Sequence, residues 1–308
     1  MQRPTPGMVG LPGAAFLMGS NAFYPEEGPV HERHVEAFEI DVHPVTNEQF
    51  ARFVEETGYL TTAERPLDPR QFPDLTADEL TPGALAFTPS SGPVDLGDWR
   101  QWWRWQPGAS WRHPQGPGSG IEEKADHPVV QVSYADATAY ATWVGKSLPT
   151  EEELEYAARG GLEGATYAWG EDARPGGRLM ANTWQGRFPY DNRGADGWVG
   201  TSPVGSFPAN GYGLVDLIGN VWEWTTSDYT LRHEERVRHC CAPTAPRSRY
   251  ADPQGRRVLK GGSHLCAPEY CLRYRPAARS PQSEDTSTTH IGFRCVRRPG
   301  RTERSTGT

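Results

Sequence analysis

Glycine and proline are the residues that most constrain the fold of this chain. Its 308 residues include 34 glycines and 28 prolines, and only 36% are hydrophobic. Both residue types weaken helix interiors and are enriched in turns. The 11 tryptophans and 12 tyrosines compensate, because large aromatic side chains bury much surface each. The composition therefore argues against a helical bundle and predicts a compact, irregular α+β fold with an aromatic core.

Length, charge and hydropathy narrow the class of protein. We see no repeat of fixed period and no clear domain boundary, so we predict one domain over residues 1–298 and a disordered tail over 299–308. A net charge of −8 gives no bulk attraction to nucleic acid. No apolar run reaches the ~20 residues of a membrane span. The N-terminus lacks the apolar stretch of a secretory signal, and five cysteines make no secreted disulfide framework, so we expect a cytoplasmic protein.

Capping residues predict three helices. Thr46 stands before a helix over 47–57 that ends at Gly58, Ser133 before one that runs to Trp143, and Thr150 before one over 151–159. We predict strands at 16–20, 35–42 and 127–132, and turns with short strands at 167–170, 182–186, 211–224, 257–262 and 291–297. Residues 61–120 carry five tryptophans, which indicates an ordered insertion rather than a linker.

Two cysteines separated by four residues offer chemistry found nowhere else in the chain. Cys266 and Cys271 stand within 261–275, which reads GGSHLCAPEYCLRYR. Two neighbouring thiols suit a disulfide, a dithiol redox couple or a two-sulfur Cu(I) site. On a helix, residues five apart lie about 140° apart around the axis, and on a strand they face opposite sides. Pro268 discourages a helix, so we predict an irregular loop that brings both sulfurs together.

Spacing alone leaves several interpretations open. A simple disulfide or two inert buried thiols would need no function. A thiol–disulfide oxidoreductase would need a Cys-x-x-Cys-like pair at a helix N-terminus, and this pair has neither the spacing nor the helix.

Motifs along most of the chain resemble one family. They are TNEQF at 46–50, LPTEE at 148–152, EYAARG at 155–160, NGYGL at 210–214, GNVWEW at 219–224, KGGS at 260–263 and GFRC at 292–295. From about residue 16 to 296 the chain resembles the formylglycine-generating enzymes of the sulfatase-modifying factor family. The resemblance implies a variant of the C-type lectin fold, and most of these motifs are shared with relatives that perform other reactions.

The cysteine segment implies the family's reaction. Ser263, Cys266 and Cys271 match the family's catalytic Ser-x-x-Cys-x-x-x-x-Cys pattern. Members of the family oxidise a cysteine in a Cys-x-Pro-x-Arg segment of an unfolded sulfatase to Cα-formylglycine, with O2 and copper, and tend to be monomers. Two thiolates suit Cu(I) and leave room for a third, which we expect to be the substrate thiolate. The alternative is a ligand-binding module on the same scaffold without chemistry.

Four nearby residues complete the expected catalytic site, and each has a structural alternative. The hydroxyl of Ser263 could bond water or oxygen species near the metal, or only satisfy a turn. Trp222 and Tyr270 could wall a dry pocket, or only pack in the core. Arg273 could orient groups at the site, or form an ordinary salt bridge.

The resemblance also implies two structural calcium sites. The first would use Asn182, the Thr183 carbonyl, Asp196 and the Trp198 carbonyl; the second would use Asp216, the Gly219 and Val221 carbonyls and Glu223. Such oxygen ligands suit a hard cation, although turn capping by Asp196 and a surface position for Glu223 would explain these residues without one. The extra disulfides of secreted members fall at Ala141, Ala158 and Pro276 here, and no role is predicted for Cys240, Cys241 or Cys295.

Overall fold

The computed structural model describes residues 7–70, 73–74, 76, 80–234 and 250–299. The expected tail from 300 onward, together with Cys240 and Cys241, lies outside this part of the chain. The described residues form three α-helices, α1 (Asn47–Thr57), α2 (Tyr134–Trp143) and α3 (Glu151–Arg159). The strands are β1 (Met8–Leu11), β2 (Ala14–Met18), β3 (His31–Val35), β4 (Phe38–Asp41), β5 (Gly83–Phe87), β6 (Trp103–Pro107), β7 (Gly186–Arg187), β8 (Asp191–Asn192), β9 (Trp222–Asp228), β10 (Arg257–Lys260), β11 (Arg279–Gln282), β12 (Ile291–Gly292) and β13 (Val296–Arg297).

Side-chain caps fix where each helix begins. Thr46 accepts from the backbone N–H of Gln49, and Gln49 reciprocates by accepting from the backbone N–H of Thr46, 3.0 Å away. The same reciprocal pair starts α2 at Ser133 and α3 at Thr150. All three predicted helices are confirmed.

The strands form small sheets. The largest orders its strands β11-β10-β9-β12, with β12 parallel to β9 and the other pairs antiparallel. A second sheet has the order β1-β4-β13, and three hairpins pair β2 with β3, β5 with β6, and β7 with β8. β10 ends at Lys260, directly before the glycines that lead into the cysteine segment. The four-stranded sheet therefore positions that segment.

The strand predicted at 127–132 is wrong. These residues are buried, but only Pro128 pairs, in an isolated bridge with Thr46. Gln131 has a φ of 60°, which breaks the extended conformation, and its N–H donates to the carbonyl of Thr288. The apolar run thus fills the core as an irregular segment.

Other strand predictions are confirmed only in part. The predicted strand at 35–42 is two strands, β3 and β4, each paired with a different partner. Within 211–224 only the last residues join β9, and within 182–186 only Gly186 joins β7. The break between β12 and β13 likewise divides the predicted element at 291–297.

The tryptophan-rich insertion is ordered wherever the structure describes it. β5 and β6 pair from Gly83 opposite Pro107 to Phe87 opposite Trp103. Trp102 and Trp111 are among the largest fully buried side chains. Trp111 packs edge-on against Phe50 of α1 in the main core, whereas Trp102 belongs to a smaller aromatic cluster.

A buried ionic network joins α3 to β10. Glu155 is fully buried and accepts from Lys260 at 2.8 Å and from Arg159 at 2.7 Å. These two cations hold the pKa of Glu155 down at about 2, although burial opposes that shift. Because Lys260 precedes the cysteine segment, this network anchors the start of that segment. Within the described residues, no helix has both the length and the apolar character to cross a membrane.

Candidate active site

The cysteine segment forms two successive turns that place both sulfurs together. The N–H of Cys266 donates to the carbonyl of Ser263 at 2.9 Å, and the N–H of Cys271 donates to the carbonyl of Ala267 at 2.7 Å. The two Sγ atoms are 3.1 Å apart, which is longer than a disulfide bond, and both cysteines are free. The predicted irregular loop with convergent sulfurs is confirmed.

The two thiols share their hydrogen bonding unequally. The Cys266 thiol, together with Arg273, lowers the pKa of Cys271. Burial raises the pKa of Cys266, whose sulfur accepts a 3.4 Å hydrogen bond from the backbone N–H of Ser263. The arrangement therefore favours one thiolate, at Cys271, and one thiol.

Both sulfurs border a cavity of ≈ 170 Å³. Tyr270 forms one wall and stacks on Phe188, with ring centroids 4.5 Å apart and planes 1° from parallel. Trp102 meets Tyr270 edge-on at 5.2 Å, and buried Trp222 closes another side. Aromatic rings and polar side chains therefore share the wall around the sulfurs.

Ser263 and Arg273 also line the cavity, as the sequence predicts. The Ser263 hydroxyl oxygen accepts from the N–H of Leu265 at 3.2 Å, so it serves a turn while its O–H remains able to rotate toward the cavity. The guanidinium of Arg273 lies beside Cys271 and pairs with Glu26 at 2.7 Å, so the expected salt bridge is present at the site.

Several cavity residues do not follow from the sequence. His290 lines the cavity, packs 4.8 Å from Trp103 and lies 2.9 Å from the Thr288 hydroxyl. Burial lowers the pKa of His290 to about 3, so its imidazole is neutral near pH 7. Trp102, Trp103 and Phe188 come from the tryptophan-rich insertion and the segment after β7, and their positions depend on long-range packing. The cluster of tryptophans in the sequence is the one signal that could have pointed to these cavity residues.

The donors around the cysteine pair fit copper by their chemistry. Two sulfurs, one of them favoured as a thiolate, form a soft donor pair suited to Cu(I). Among the described residues, no group of three or more His, Cys, Asp or Glu side chains could hold a metal ion. A third ligand would therefore come from outside this set.

One member of the first predicted calcium set has an oxygen available for a cation. Asn182 and Asp196 lie on segments that meet, because the Asn182 amide donates to the carbonyl of Gly200 at 2.9 Å. In the described chain, the buried Oδ2 of Asp196 has no hydrogen-bond partner, and burial raises the pKa of that carboxyl. A buried carboxylate oxygen without a partner is one ligand that a calcium ion could use.

The second predicted calcium set fits less completely. Glu223 is buried rather than on the surface, and Arg294 donates to both of its oxygens at 2.7 and 2.8 Å. Its charge is therefore compensated by an arginine without a cation. Asp216 is also buried and accepts from the N–H of Gly205 at 2.6 Å, and burial raises its pKa.

Comparison with known proteins agrees with this architecture. A family model described as "Sulfatase-modifying factor enzyme 1-like domain" matches residues 1–299. The chain is 64% identical over 294 residues to the formylglycine-generating enzyme of Mycobacterium tuberculosis, covering 95% of this chain and 98% of that protein. It is 42% identical over 304 residues to a Bos taurus protein named "Inactive C-alpha-formylglycine-generating enzyme 2", covering 96% of this chain and 90% of that protein. The solved structure of PvdO from Pseudomonas aeruginosa superposes with a TM-score of 0.62 at 24% identity, covering 95% of this chain and 94% of that one, which shows a common fold.

The chain therefore belongs to the sulfatase-modifying factor family, and the predicted α+β, lectin-like fold is confirmed. Within the family it belongs with the formylglycine-generating enzymes, oxidases that modify a protein cysteine. Because a relative named as inactive shares the architecture, the catalytic assignment depends on the cysteine site rather than on the fold.

Proposed function

We propose that this enzyme uses copper and O2 to convert the cysteine of a Cys-x-Pro-x-Arg segment in unfolded sulfatases to Cα-formylglycine. The observation that carries the proposal is the pair of free sulfurs 3.1 Å apart at one cavity. A non-catalytic binding module has no use for such a pair, and the similarity to formylglycine-generating enzymes favours catalysis.

The chain's own residues would bind and shield the reacting groups. Cys266 and Cys271 would hold Cu(I), which supplies the one-electron chemistry with O2 that the protein's side chains lack. The rings of Trp222 and Tyr270 would exclude water from the substrate thiol and so limit side reactions. Neutral His290 and the Ser263 hydroxyl are polar groups at the cavity that can hydrogen-bond without adding charge.

An adjacent open cavity supports an extended peptide substrate. It measures ≈ 510 Å³ and shares Leu265 with the cysteine cavity. Its lining is mostly apolar and aromatic, including Phe87, Trp184 and Tyr190. A peptide lying there would bring one side chain past Leu265 to the sulfurs.

Three further features are proposed together with this function. The first calcium set would staple loops that carry little regular structure. The free thiol of buried Cys295 agrees with a reducing, cytoplasmic location. We also propose that the protein acts as a monomer, as members of the family tend to do.

The test is incubation with a Cys-x-Pro-x-Arg peptide, copper and air, followed by mass spectrometry. We expect the peptide thiol to be replaced by an aldehyde that a hydrazine probe captures. The same peptide with serine in place of cysteine is the matched control and should stay unchanged. Loss of the thiol only as a mixed disulfide, with no captured aldehyde, would refute the proposal.

A further inference from the structure

A short N-terminal segment packs directly against the second half of the cysteine segment. Pro25–Glu27 form a 3-10 turn that follows Tyr24. We call residues 23–27 the brace. The Tyr24 hydroxyl accepts from the N–H of Leu272 at 3.1 Å, although the two residues are 248 positions apart. The backbone next to Cys271 is thus tied to the brace.

The brace also holds two arginines that follow Cys271. Glu26 accepts from Arg273 at 2.7 Å, and Glu27, which is fully buried, accepts from Arg275 at 2.6 and 2.8 Å. These ion pairs have low exposure, so they are screened less than surface pairs. The stretch from 272 to 275 is therefore fixed at three of its four residues by a segment from the other end of the chain.

Arg273 shows how the brace reaches the reacting groups. Its guanidinium lies 4.0 Å from the ring centroid of Tyr24 and borders the same cavity as Cys271. Tyr24 and Glu26 thus both contact Arg273, whose guanidinium also lies beside Cys271. Without them the long side chain could leave the cavity for solvent, since arginine carries much rotamer entropy.

We propose that Tyr24 and Glu26 are positioning residues for the reaction, holding Cys271 and Arg273 so that the two sulfurs stay together at the cavity. Neither residue borders the cavity, so both act through their partners. The catalytic use of the sulfur pair rests on the proposed function, whereas the effect of the brace on the sulfur pair does not. The convergence of the sulfurs can be measured without copper or peptide.

The proximity of two thiols sets how readily they close a disulfide by exchange with oxidised glutathione, which is released as two molecules of reduced glutathione. Holding two groups in place raises their effective concentration and so the equilibrium constant for closing the bond. In metal-free protein at one fixed pH, we expect Tyr24→Phe and Glu26→Ala to lower this constant about tenfold, the loss that follows when one ordering hydrogen bond is removed. Glu26→Gln keeps an acceptor for Arg273 and should recover most of the loss.

Activity supplies the second readout. Because the brace orders the reacting groups and not the peptide, Tyr24→Phe should lower kcat while KM for the peptide stays unchanged. Glu36→Ala is the matched control, because that side chain is 93% exposed, and it should behave as the parent protein does. Glutathione equilibrium constants within twofold of the parent in both Tyr24→Phe and Glu26→Ala would overturn the proposal. If Glu26→Ala does not fold, the equilibrium constant of Tyr24→Phe alone tests the proposal.

Discussion

Gly262 shows how one residue determines the shape of the active-site loop. Its φ is +74°, and a Cβ there would lie 2.8 Å from the carbonyl oxygen of Arg273. Glycine is therefore needed both for its backbone conformation and for the close approach of the two halves of the loop.

We predict that Gly262→Ala destabilises the protein more than a matched glycine replacement. Gly213 has a φ of +77°, and no atom lies within 4 Å of the position that a Cβ would take there, so Gly213→Ala isolates the backbone strain, about 1 kcal/mol. Gly262→Ala adds the clash with Arg273 and should cost about 1–3 kcal/mol more. Urea unfolding of both variants measures this difference, and equal costs would show that the clash is relieved without strain.

At the residue scale, the sequence predicts the sulfur pair and part of its surroundings, namely Trp222, Tyr270 and Arg273, but not the neighbours from more distant segments. Cys266, Cys271 and Ser263 stand in one short motif, so their proximity follows from a loop of nine residues. Tyr24 and Glu26 contact the residues that directly follow this loop, and His290 lines the same cavity. All three come from distant parts of the chain. Nothing in local spacing predicts such contacts, because only the packing of the whole fold creates them.

At the element scale, local signals succeed where the structure depends on neighbours in sequence. The three helices begin at predicted caps, because capping joins a side chain to a backbone N–H three residues later. The strand predicted at 127–132 fails because its hydrogen bonds go to distant segments around Val45 and Thr288. The sequence predicts that residues 61–120 are ordered, but it does not predict the β5–β6 hairpin within them.

The loop that carries Asp196 provides a test of structural calcium. Among the described residues, the buried Oδ2 of Asp196 has no hydrogen-bond partner, and a bound calcium ion would supply one. We therefore predict that a chelator lowers Tm and that added calcium restores it. Asp196→Asn should lower Tm in calcium and remove most of the chelator effect. Asp191→Asn is the matched control, since Asp191 already pairs with Arg193 at 3.4 Å. A parent Tm that is identical with and without chelator would contradict the first site.

At the scale of the whole molecule, the fold buries histidines that must stay neutral. Burial, together with neighbouring Arg279 and Lys260, lowers the pKa of His233 to about 2, although Glu155 opposes this shift. His31 packs 4.8 Å away, and burial lowers its pKa too. The unfolded chain has ordinary histidines that take up protons below about pH 6.5.

This difference predicts the direction of the pH dependence. Because the pKa of His233 is lower in the folded protein than in the unfolded chain, its contribution to stability is fully present above pH 6.5. That contribution is lost as the pH falls from 6.5 toward about 2. Between pH 7.5 and 5, the parent should lose about 2 kcal/mol more unfolding free energy than His233→Phe, which cannot be protonated. Urea unfolding at both pH values tests this, and equal losses in the two proteins would show that His233 is protonated in the fold.

The whole chain spans nearly all of a formylglycine-generating enzyme, and its described core is continuous from β1 to β13. Composition predicts this class of fold, because scarce aliphatic residues and abundant turns leave aromatic packing and buried ion pairs to stabilise it. The sequence predicts a pocket beside the cysteines, but its full lining, which includes Trp102, Trp103 and His290, depends on that complete packing.

The most direct measurement is titration of reduced, purified protein with Cu(I) in competition with a chelator of known affinity. We predict one tight equivalent in the parent and in Cys295→Ala, whose thiol is buried away from the cavity. Cys266→Ala and Cys271→Ala should each abolish tight binding, because one thiolate alone is a poor site for Cu(I). Tight binding that survives in either single variant, or no tight equivalent in the parent, would contradict the account.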